Sequence, residues 1–303
     1  MSWLKAQIQQ NPQKLFIQEG DDKYSYMDIA EMVQAYSQAF LKEGIRPHDR
    51  ILIYLIGGIE MAEIILACFE IGAIPTPISR RLTNNERKAV IATIQPRLIL
   101  TNWDGKKAFG SVSFPLTCIE ELLSSSGGCS VFINEYKKNL DDVCTIILTS
   151  GTTGIPKAVQ LTYGNFETSC KNWNGFLKFV PTDQFLCCLP LHHIGGLAVL
   201  VRALIYGFSV NLIHTFEAGT IHNVISNHPV TIISLVPTML KRILAVEGGL
   251  GALKTLRHIL LGGGPSSGDL LDICFQEKLP IVKVYGMSET CSGTFVLNLL
   301  DEP

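Results

Sequence analysis

No apolar run in the sequence is long enough to cross a membrane. The longest, near residues 185–201, is broken by Pro190, two histidines and two glycines, and falls short of the ~20 residues a helical span needs. The N-terminus, MSWLKAQIQQ, lacks the apolar core of a signal peptide. A basic excess is missing too. The formal net charge is −2, so no chain-wide positive field favours nucleic acid or an anionic membrane. Charged residues are scarce, 17% of the chain against a usual ~25%. Nine cysteines, at 68, 118, 129, 144, 170, 187, 188, 274 and 291, form no CxxC pair, and their number is odd. Many sit in apolar runs, as small buried hydrophobes do. They read as reduced thiols of a cytoplasmic protein rather than a disulfide frame or a zinc site.

The rest of the composition is 47% hydrophobic over 303 residues. That suffices for a large core in one big domain or two sub-domains, here divided at about residues 1–142 and 143–303. Few charges and many apolar residues suggest strands covered on both faces, as in α/β folds.

The most informative stretch is TIILTSGTTGIPKAVQLT, residues 145–162. An apolar, β-branched run from Val143 to Leu148 reads as a buried strand. It leads into Thr149-Ser150-Gly151-Thr152-Thr153-Gly154-Ile155-Pro156-Lys157, and a second short strand follows over Ala158 to Leu161. Nine residues hold four hydroxyls, two glycines and one lysine. Glycines let backbone N–H groups approach an anion, hydroxyls donate to its oxygens, and lysine adds a compact positive charge. The alternative is a Ser/Thr/Gly-rich surface turn. The stretch is not a P-loop: Pro156 stands where that motif needs its second glycine, Ala158 follows the lysine, and the next element is a strand rather than a helix.

Before this stretch the pattern alternates. A hairpin is expected around Glu19-Gly20-Asp21-Asp22, then a helix capped by Ser25 or Asp28 and ending at Gly44. Ile51–Ile56 reads as a strand, Ile59–Ile71 as a helix closed by Gly72, Ile74–Pro77 as a strand, Thr83 to Ile94 as a capped helix, and Leu98–Thr101 as a strand. Strand–helix alternation predicts a parallel sheet with helices on its faces. Residues 102–142 read as peripheral.

After it, Tyr163–Lys178 reads as a helix. Adjacent His192 and His193 follow in Leu189-Pro190-Leu191-His192-His193-Ile194-Gly195-Gly196. On a strand they would point to opposite sides, so at most one faces a site. From residue 203 onward a further βαβ series is expected, with Pro237 at the first turn of a helix. Two of its strands end in glycine-bearing loops, Gly262-Gly263-Gly264-Pro265 and Gly286-Met287-Ser288-Glu289-Thr290. Ligands of open α/β sheets bind at that edge. Bare backbone at Gly262 to Pro265 suits a flat ring, Tyr285 can stack on it, and Glu289 can hold a divalent cation near phosphates. Each loop alone also reads as a plain helix-entry turn.

The 149–157 string resembles the phosphate-binding signature of the adenylate-forming superfamily of acyl-CoA synthetases, luciferases and peptide-synthetase adenylation domains. The later loops follow in that family's order. Gly72-Ala73-Ile74-Pro75-Thr76-Pro77 with Arg80-Arg81-Leu82-Thr83 is similar to a further family stretch. The resemblance implies the large N-terminal domain of that fold: stacked, mostly parallel sheets with helices on both faces, plus a smaller β sub-domain. It implies ATP, Mg²⁺ and coenzyme A as co-substrates and cofactors, and a carboxylic acid joined to ATP and passed on as acyl-AMP.

Carried over residue by residue, the resemblance puts Thr149, Ser150, Gly151, Thr152, Thr153, Gly154 and Lys157 on the pyrophosphate end. Gly263, Gly264, Pro265 and Tyr285 border adenine, with Gly286 and Met287 beside them. Ser288 meets the α-phosphate, where the family more often has threonine. Glu289, with Thr153, holds Mg²⁺. His193 takes the pocket-wall or gate position and His192 the aromatic one. Arg81, His193, Gly262, Gly286 and Ser292 are assigned to the acid, although Arg80 and Arg81 read equally well as solvated loop cations. Lys157, His193 and Glu289 are the candidate catalytic set.

Within the family, LCCLPLHHIGGLAVLVRALIYG, VPTMLKRIL with HILLGGGP, and YGMSETCSG look most like ligases acting on an aromatic acid with a succinyl side chain, in menaquinone and phylloquinone synthesis. Other aryl or fatty acids, or a non-catalytic nucleotide- or acyl-binding module, are the alternatives. The expected partner is a small aromatic carboxylate; nucleic acid is not expected, and a homo-oligomer is allowed. The family's ribose-binding aspartate, hinge and lysine-bearing mobile C-terminal domain have no counterpart here. The 303 residues alone are therefore expected to show little ligase activity and to bind nucleotide weakly.

Overall fold

The computed structural model describes residues 2–110, 112–124, 136–149 and 156–301. The chain opens with helix α1 (Trp3–Gln10), the strands β1 (Leu15–Glu19) and β2 (Asp22–Ser25), and α2 (Tyr26–Lys42). Next come β3 (Arg50–Tyr54), α3 (Ile59–Ile71), β4 (Ile74–Pro77), α4 (Asn84–Ile94), β5 (Leu98–Thr101), α5 (Trp103–Lys106), β6 (Leu116–Cys118) and α6 (Ile119–Ser124). β7 (Val143–Thr149), β8 (Lys157–Thr162) and α7 (Tyr163–Leu177) follow. The last stretch runs β9 (Gln184–Cys187), α8 (Ile194–Tyr206), β10 (Ser209–Leu212), α9 (Ala218–Asn227), β11 (Ile232–Leu235), α10 (Pro237–Leu244), α11 (Gly249–Lys254), β12 (His258–Leu261), α12 (Gly268–Gln276), β13 (Ile281–Met287) and β14 (Ser292–Asn298).

Two units emerge from these elements. The first gathers Met1–Leu15, Tyr24–Glu167 and Leu191–His193; the second gathers Phe16–Lys23, Thr168–Pro190 and Ile194–Pro303.

In the first unit β4-β3-β5-β6 form an all-parallel sheet. Strands such as β4 and β5 are buried along their whole length, as the near-continuous apolar runs require. The helix signals act locally as read. Ser25 with Asp28, and Thr83 with Glu86, form capping boxes at the starts of α2 and α4, each satisfying two otherwise orphaned backbone donors. Gly72 closes α3 in the left-handed conformation at φ 72°, where glycine carries no Cβ penalty. β7 and β8 pair antiparallel, with Thr149 opposite Lys157, and β7 packs beside β4. The 102–142 region is less peripheral than expected, since β6 adds a strand to the parallel sheet.

The second unit is built on an eight-stranded sheet in the order β14-β13-β12-β11-β9-β10-β1-β2. From β1 to β13 its pairings are parallel. The expected βαβ series therefore holds as far as β13. It ends there, because β14 returns antiparallel along β13, with an irregularity between Tyr285 and Gly286. Gly286 and Met287 accordingly belong to the strand rather than to the turn after it. Pro237 does stand at the first turn of α10.

At the amino ends of β9, β11 and β12 lies a buried carboxylate. Asp183 accepts from Arg257 Nη2 at 2.6 Å, from the Thr231 hydroxyl at 2.8 Å and from the Val180 amide at 2.9 Å. Its side chain is 1% exposed. Arg257 Nη1 also donates to the Leu177 carbonyl. The ion pair thus ties the end of α7 to the starts of β9, β11 and β12. All eight described cysteines are buried thiols outside any disulfide; among the described residues no helix is long and apolar enough to cross a membrane.

Asp183→Ala would leave a half-buried guanidinium, a hydroxyl and an amide without their acceptor. We expect a stability loss of about 3–5 kcal/mol, the range for breaking a buried pair from one side. Urea denaturation measures it, and a loss below about 1 kcal/mol would mean that the pair is no staple.

Candidate functional site

The carboxyl ends of β12 and β13 bring two predicted segments to one edge. β12 and β13 pair in parallel up to Leu261 opposite Lys283. The chain past Leu261 therefore lies beside Val284. A Cβ on Gly262 would sit 2.8 Å from the Val284 carbonyl oxygen, and one on Gly263 3.1 Å from Val236 Cγ1. Gly263 is in the left-handed region at φ +75°, which suits glycine and strains other residues. Gly263, Gly264 and Pro265 are exposed, as are Tyr285, Gly286 and Met287 on the neighbouring strand. Tyr285 is 63% exposed, so its ring is available to stack on a flat ligand.

The turn from β13 to β14 carries Ser288 and Glu289 in a single 3₁₀ turn, Ser288–Thr290. The Thr290 hydroxyl staples it, accepting from the Met287 amide at 3.1 Å and lying 2.8 Å from the Ser292 carbonyl. Cys291 and Ser292 both have positive φ, 52° and 91°, an uncommon and costly state for residues with a Cβ. The buried Ser169 hydroxyl holds it by donating to the Cys291 carbonyl at 2.7 Å. Gly286 has no room for a side chain: a Cβ would lie 2.2 Å from the Ser292 carbonyl oxygen. Gly293 is as tight, 2.5 Å from the Trp173 ring and 2.6 Å from Val284 Cγ1.

Glu289 is exposed and makes no ion pair among the described residues. No cluster of three His, Cys, Asp or Glu side chains capable of holding a metal occurs among them either. One free carboxylate fits Mg²⁺, which is commonly bound through one or two carboxylates plus phosphate oxygens and water. Thr153 lies outside the described residues, as do Ser150, Gly151, Thr152 and Gly154. Of that motif the structure describes Thr149 and Lys157, paired across the β7–β8 ladder, with Lys157 exposed.

His192 and His193 do not sit on a strand, and they do not face opposite ways. They occupy a turn, with ring centroids 4.4 Å apart. The same turn is tight at its far end, where a Cβ on Gly196 would lie 2.4 Å from the Leu189 carbonyl oxygen. His192 is half-buried. Burial, then His193 and Arg81, push its pKa down to about 4. His193 is exposed at its surface, yet enough protein surrounds the ring for desolvation to lower its pKa as well. Arg81 is exposed and close enough to His192 to affect its charge. Arg80 is held elsewhere, by Asp104 at 2.6 Å and over the Tyr54 ring.

One residue escaped the sequence reading. Arg202, on α8, is 2% exposed. It lies 4.7 Å from the Trp173 ring centroid and donates to Ser292 Oγ at 3.0 Å. Its Nε is buried without a partner. Among the described residues no carboxylate pairs with it, and burial works against its charge. The signal was present in the sequence: Arg202 is the single charge in the otherwise apolar helix IGGLAVLVRALIY.

The histidine turn yields a pH test. Unfolded, His192 titrates near ~6.5; folded, it titrates near about 4. Between these values the unfolded chain takes up a proton that the folded chain refuses, so stability is fully present above ~6.5 and falls as pH drops toward 4. Denaturation at neutral and mildly acid pH should show a smaller acid loss in His192→Gln than in the parent. An unchanged loss would remove His192 as its source.

The chain is 32% identical to the 2-succinylbenzoate–CoA ligase of Oceanobacillus iheyensis, covering 97% of this chain and 61% of that protein. The Bacillus cereus ligase of the same name is 30% identical over 98% of this chain and 60% of its own length. Among solved structures, o-succinylbenzoate CoA synthetase from Bacillus subtilis, in complex with the acyl-adenylate intermediate OSB-AMP, superposes with a TM-score of 0.91 at 30% identity. It covers 98% of this chain and 60% of that one. The chain thus spans about 60% of the length of these relatives. The model of the AMP-binding enzyme family matches residues 4–303, and the chain belongs to that family.

Proposed function

We propose that the protein carrying this chain is an ATP-dependent carboxylate–CoA ligase acting on 2-succinylbenzoate. In that reaction a carboxylate oxygen attacks the α-phosphorus of ATP and pyrophosphate leaves. The thiol of coenzyme A then attacks the acyl-AMP carbonyl, and AMP leaves. The names of the relatives above support the reading. So do the solved complexes of the Bacillus subtilis synthetase, one of which contains ATP and magnesium ion.

The observation that carries the choice of acid is Arg202. A buried guanidinium with no acid of its own asks for an anion. It donates to Ser292 Oγ, which leaves the serine proton free to donate outward. A hydroxyl polarised by a cation in this way is a strong donor to a carboxylate or ketone oxygen. A substrate with a keto-acid side chain uses that donor; a fatty acid would leave it unmatched.

The other residues take roles their positions allow. Tyr285 and the bare backbone of Gly263 and Gly264 border adenine, with Pro265 at the loop's end. Lys157 meets the pyrophosphate, and Glu289 holds Mg²⁺, which neutralises phosphate charge when bound. Ser288 would donate to the α-phosphate, and the His192–His193 turn, neutral at pH 7, would wall the acid. A neutral wall beside an anionic carboxylate avoids a competing ion pair that would blunt its nucleophilicity.

Two measurements test this. Isothermal titration of Mg·ATP should show Lys157→Ala and Glu289→Ala weakening binding by about tenfold to a hundredfold, the equivalent of one charge-assisted contact. Equal affinity in both variants would remove these residues from the nucleotide site. ATP–pyrophosphate exchange by the protein carrying this chain should be supported by 2-succinylbenzoate well above benzoate or octanoate. Arg202→Met should cut that preference by about tenfold or more. If octanoate or benzoate serves as well in the parent, the acid is wrong although the reaction class stands.

A further inference from the structure

α4 places a second guanidinium in an unusual setting. Arg87 follows the capping box of Thr83 and Glu86 directly. Its Nη1 donates to the Leu82 carbonyl and its Nη2 to the Ala108 carbonyl at 2.8 Å. The rings of Tyr54 and Phe109 lie 5.6 Å and 5.9 Å from the guanidinium. These contacts lock its plane. Nε is buried and has no partner, and among the described residues no acid pairs with this arginine. Glu86, the nearest carboxylate in sequence, is committed to the Thr83 amide and hydroxyl.

Arg87 borders a cavity of about 260 Å³ between α4 and the segment that follows α5. Arg87 and Lys88 supply its cationic end; Ile91, Phe109, Val112 and Phe114 supply its apolar walls. This combination is selective. Aromatic and branched walls favour a flat apolar body. Two cations, one of them oriented and lacking a counter-charge, favour an anion at its end. The volume lies below the ~300–1,000 Å³ of pockets that hold drug-sized ligands, so a nucleotide or coenzyme A is too large. Every lining residue belongs to the first unit, and none belongs to the loops assigned above to nucleotide or acid.

We propose that this cavity is an accessory binding site for a small, single-ring aromatic carboxylate, with its carboxylate at the Arg87–Lys88 end and its ring between Ile91 and Phe114. The anion supplies the counter-charge that Arg87 lacks among the described residues.

Benzoate is the probe. Titrated into the ¹⁵N-labelled chain, it should produce saturable shifts at the amides of Ala92, Val112 and Ser113, undiminished when Mg·ATP is present. Benzamide, the same shape without the charge, should bind about tenfold more weakly. Ala92 is exposed on α4 at the cavity, so Ala92→Trp should block entry and weaken benzoate by about tenfold or more while leaving the melting temperature unchanged. Three results would each overturn the proposal: no saturable shift at those amides, equal binding of benzamide, or undiminished binding in Ala92→Trp with its fold intact. Displacement of benzoate by Mg·ATP would overturn its independence from the nucleotide site.

Discussion

Backbone contact at Gly286 governs the end of the second unit's sheet. β14 can return along β13 only because nothing projects from Gly286 toward the Ser292 carbonyl. The return sets the rest. It bends Met287 to Cys291 into a turn that holds Glu289 out in solvent. It also forces Cys291 and Ser292 into positive φ, and it delivers the Ser292 hydroxyl to the buried Arg202. A methyl group at Gly286 or Gly293 would have to push backbone or the Trp173 ring aside, a strain on the order of 1–3 kcal/mol. The shape of the turn therefore depends on two missing side chains as well as on the Thr290 and Ser169 hydrogen bonds.

The buried charges divide into two kinds. Asp183 and Arg257 neutralise each other, and surrounding amide, hydroxyl and carbonyl groups take up most of the other hydrogen bonds, although Arg257 Nε stays buried without a partner. Such a network fixes geometry, and its charge is already balanced. Arg202 and Arg87 are different: each is held by neutral groups and aromatic rings, and neither has an acid among the described residues. A protein that leaves a cation in this state carries a standing electrostatic cost. An anionic ligand lowers that cost, which makes these two positions informative about what the chain binds.

Much of this was legible in the sequence because it is local. Capping boxes at Ser25 and Thr83, the left-handed Gly72 and the first-turn Pro237 depend on a few neighbouring residues, and the structure has them where the residues said. The alternation of strands and helices predicted parallel sheets for the same reason. The turn at His192 and His193 is local too, yet it was missed, because the apolar run there reads as a strand, where neighbouring side chains point apart. Contacts distant in sequence were not legible. The antiparallel return of β14 depends on Gly286 meeting Ser292 and on Gly293 meeting Trp173, over 100 positions away. Arg202 stood out as a lone charge in an apolar helix, but its distance to Ser292, 90 residues on, exists only in three dimensions. For the Ser/Thr/Gly segment the structure describes the two ends, Thr149 and Lys157, and the pairing that brings them opposite each other.

The burial of the cysteines has a practical corollary. Burial raises the thiol pKa of Cys68, Cys187, Cys188, Cys274 and Cys291, so little reactive thiolate exists at these positions while the fold is closed. Alkylation there waits on local opening, and its speed reads the opening free energy of the strand or helix that carries each sulfur. Since those sulfurs are spread from α3 to the β13–β14 turn, the native chain holds a built-in set of labels for mapping which parts loosen first.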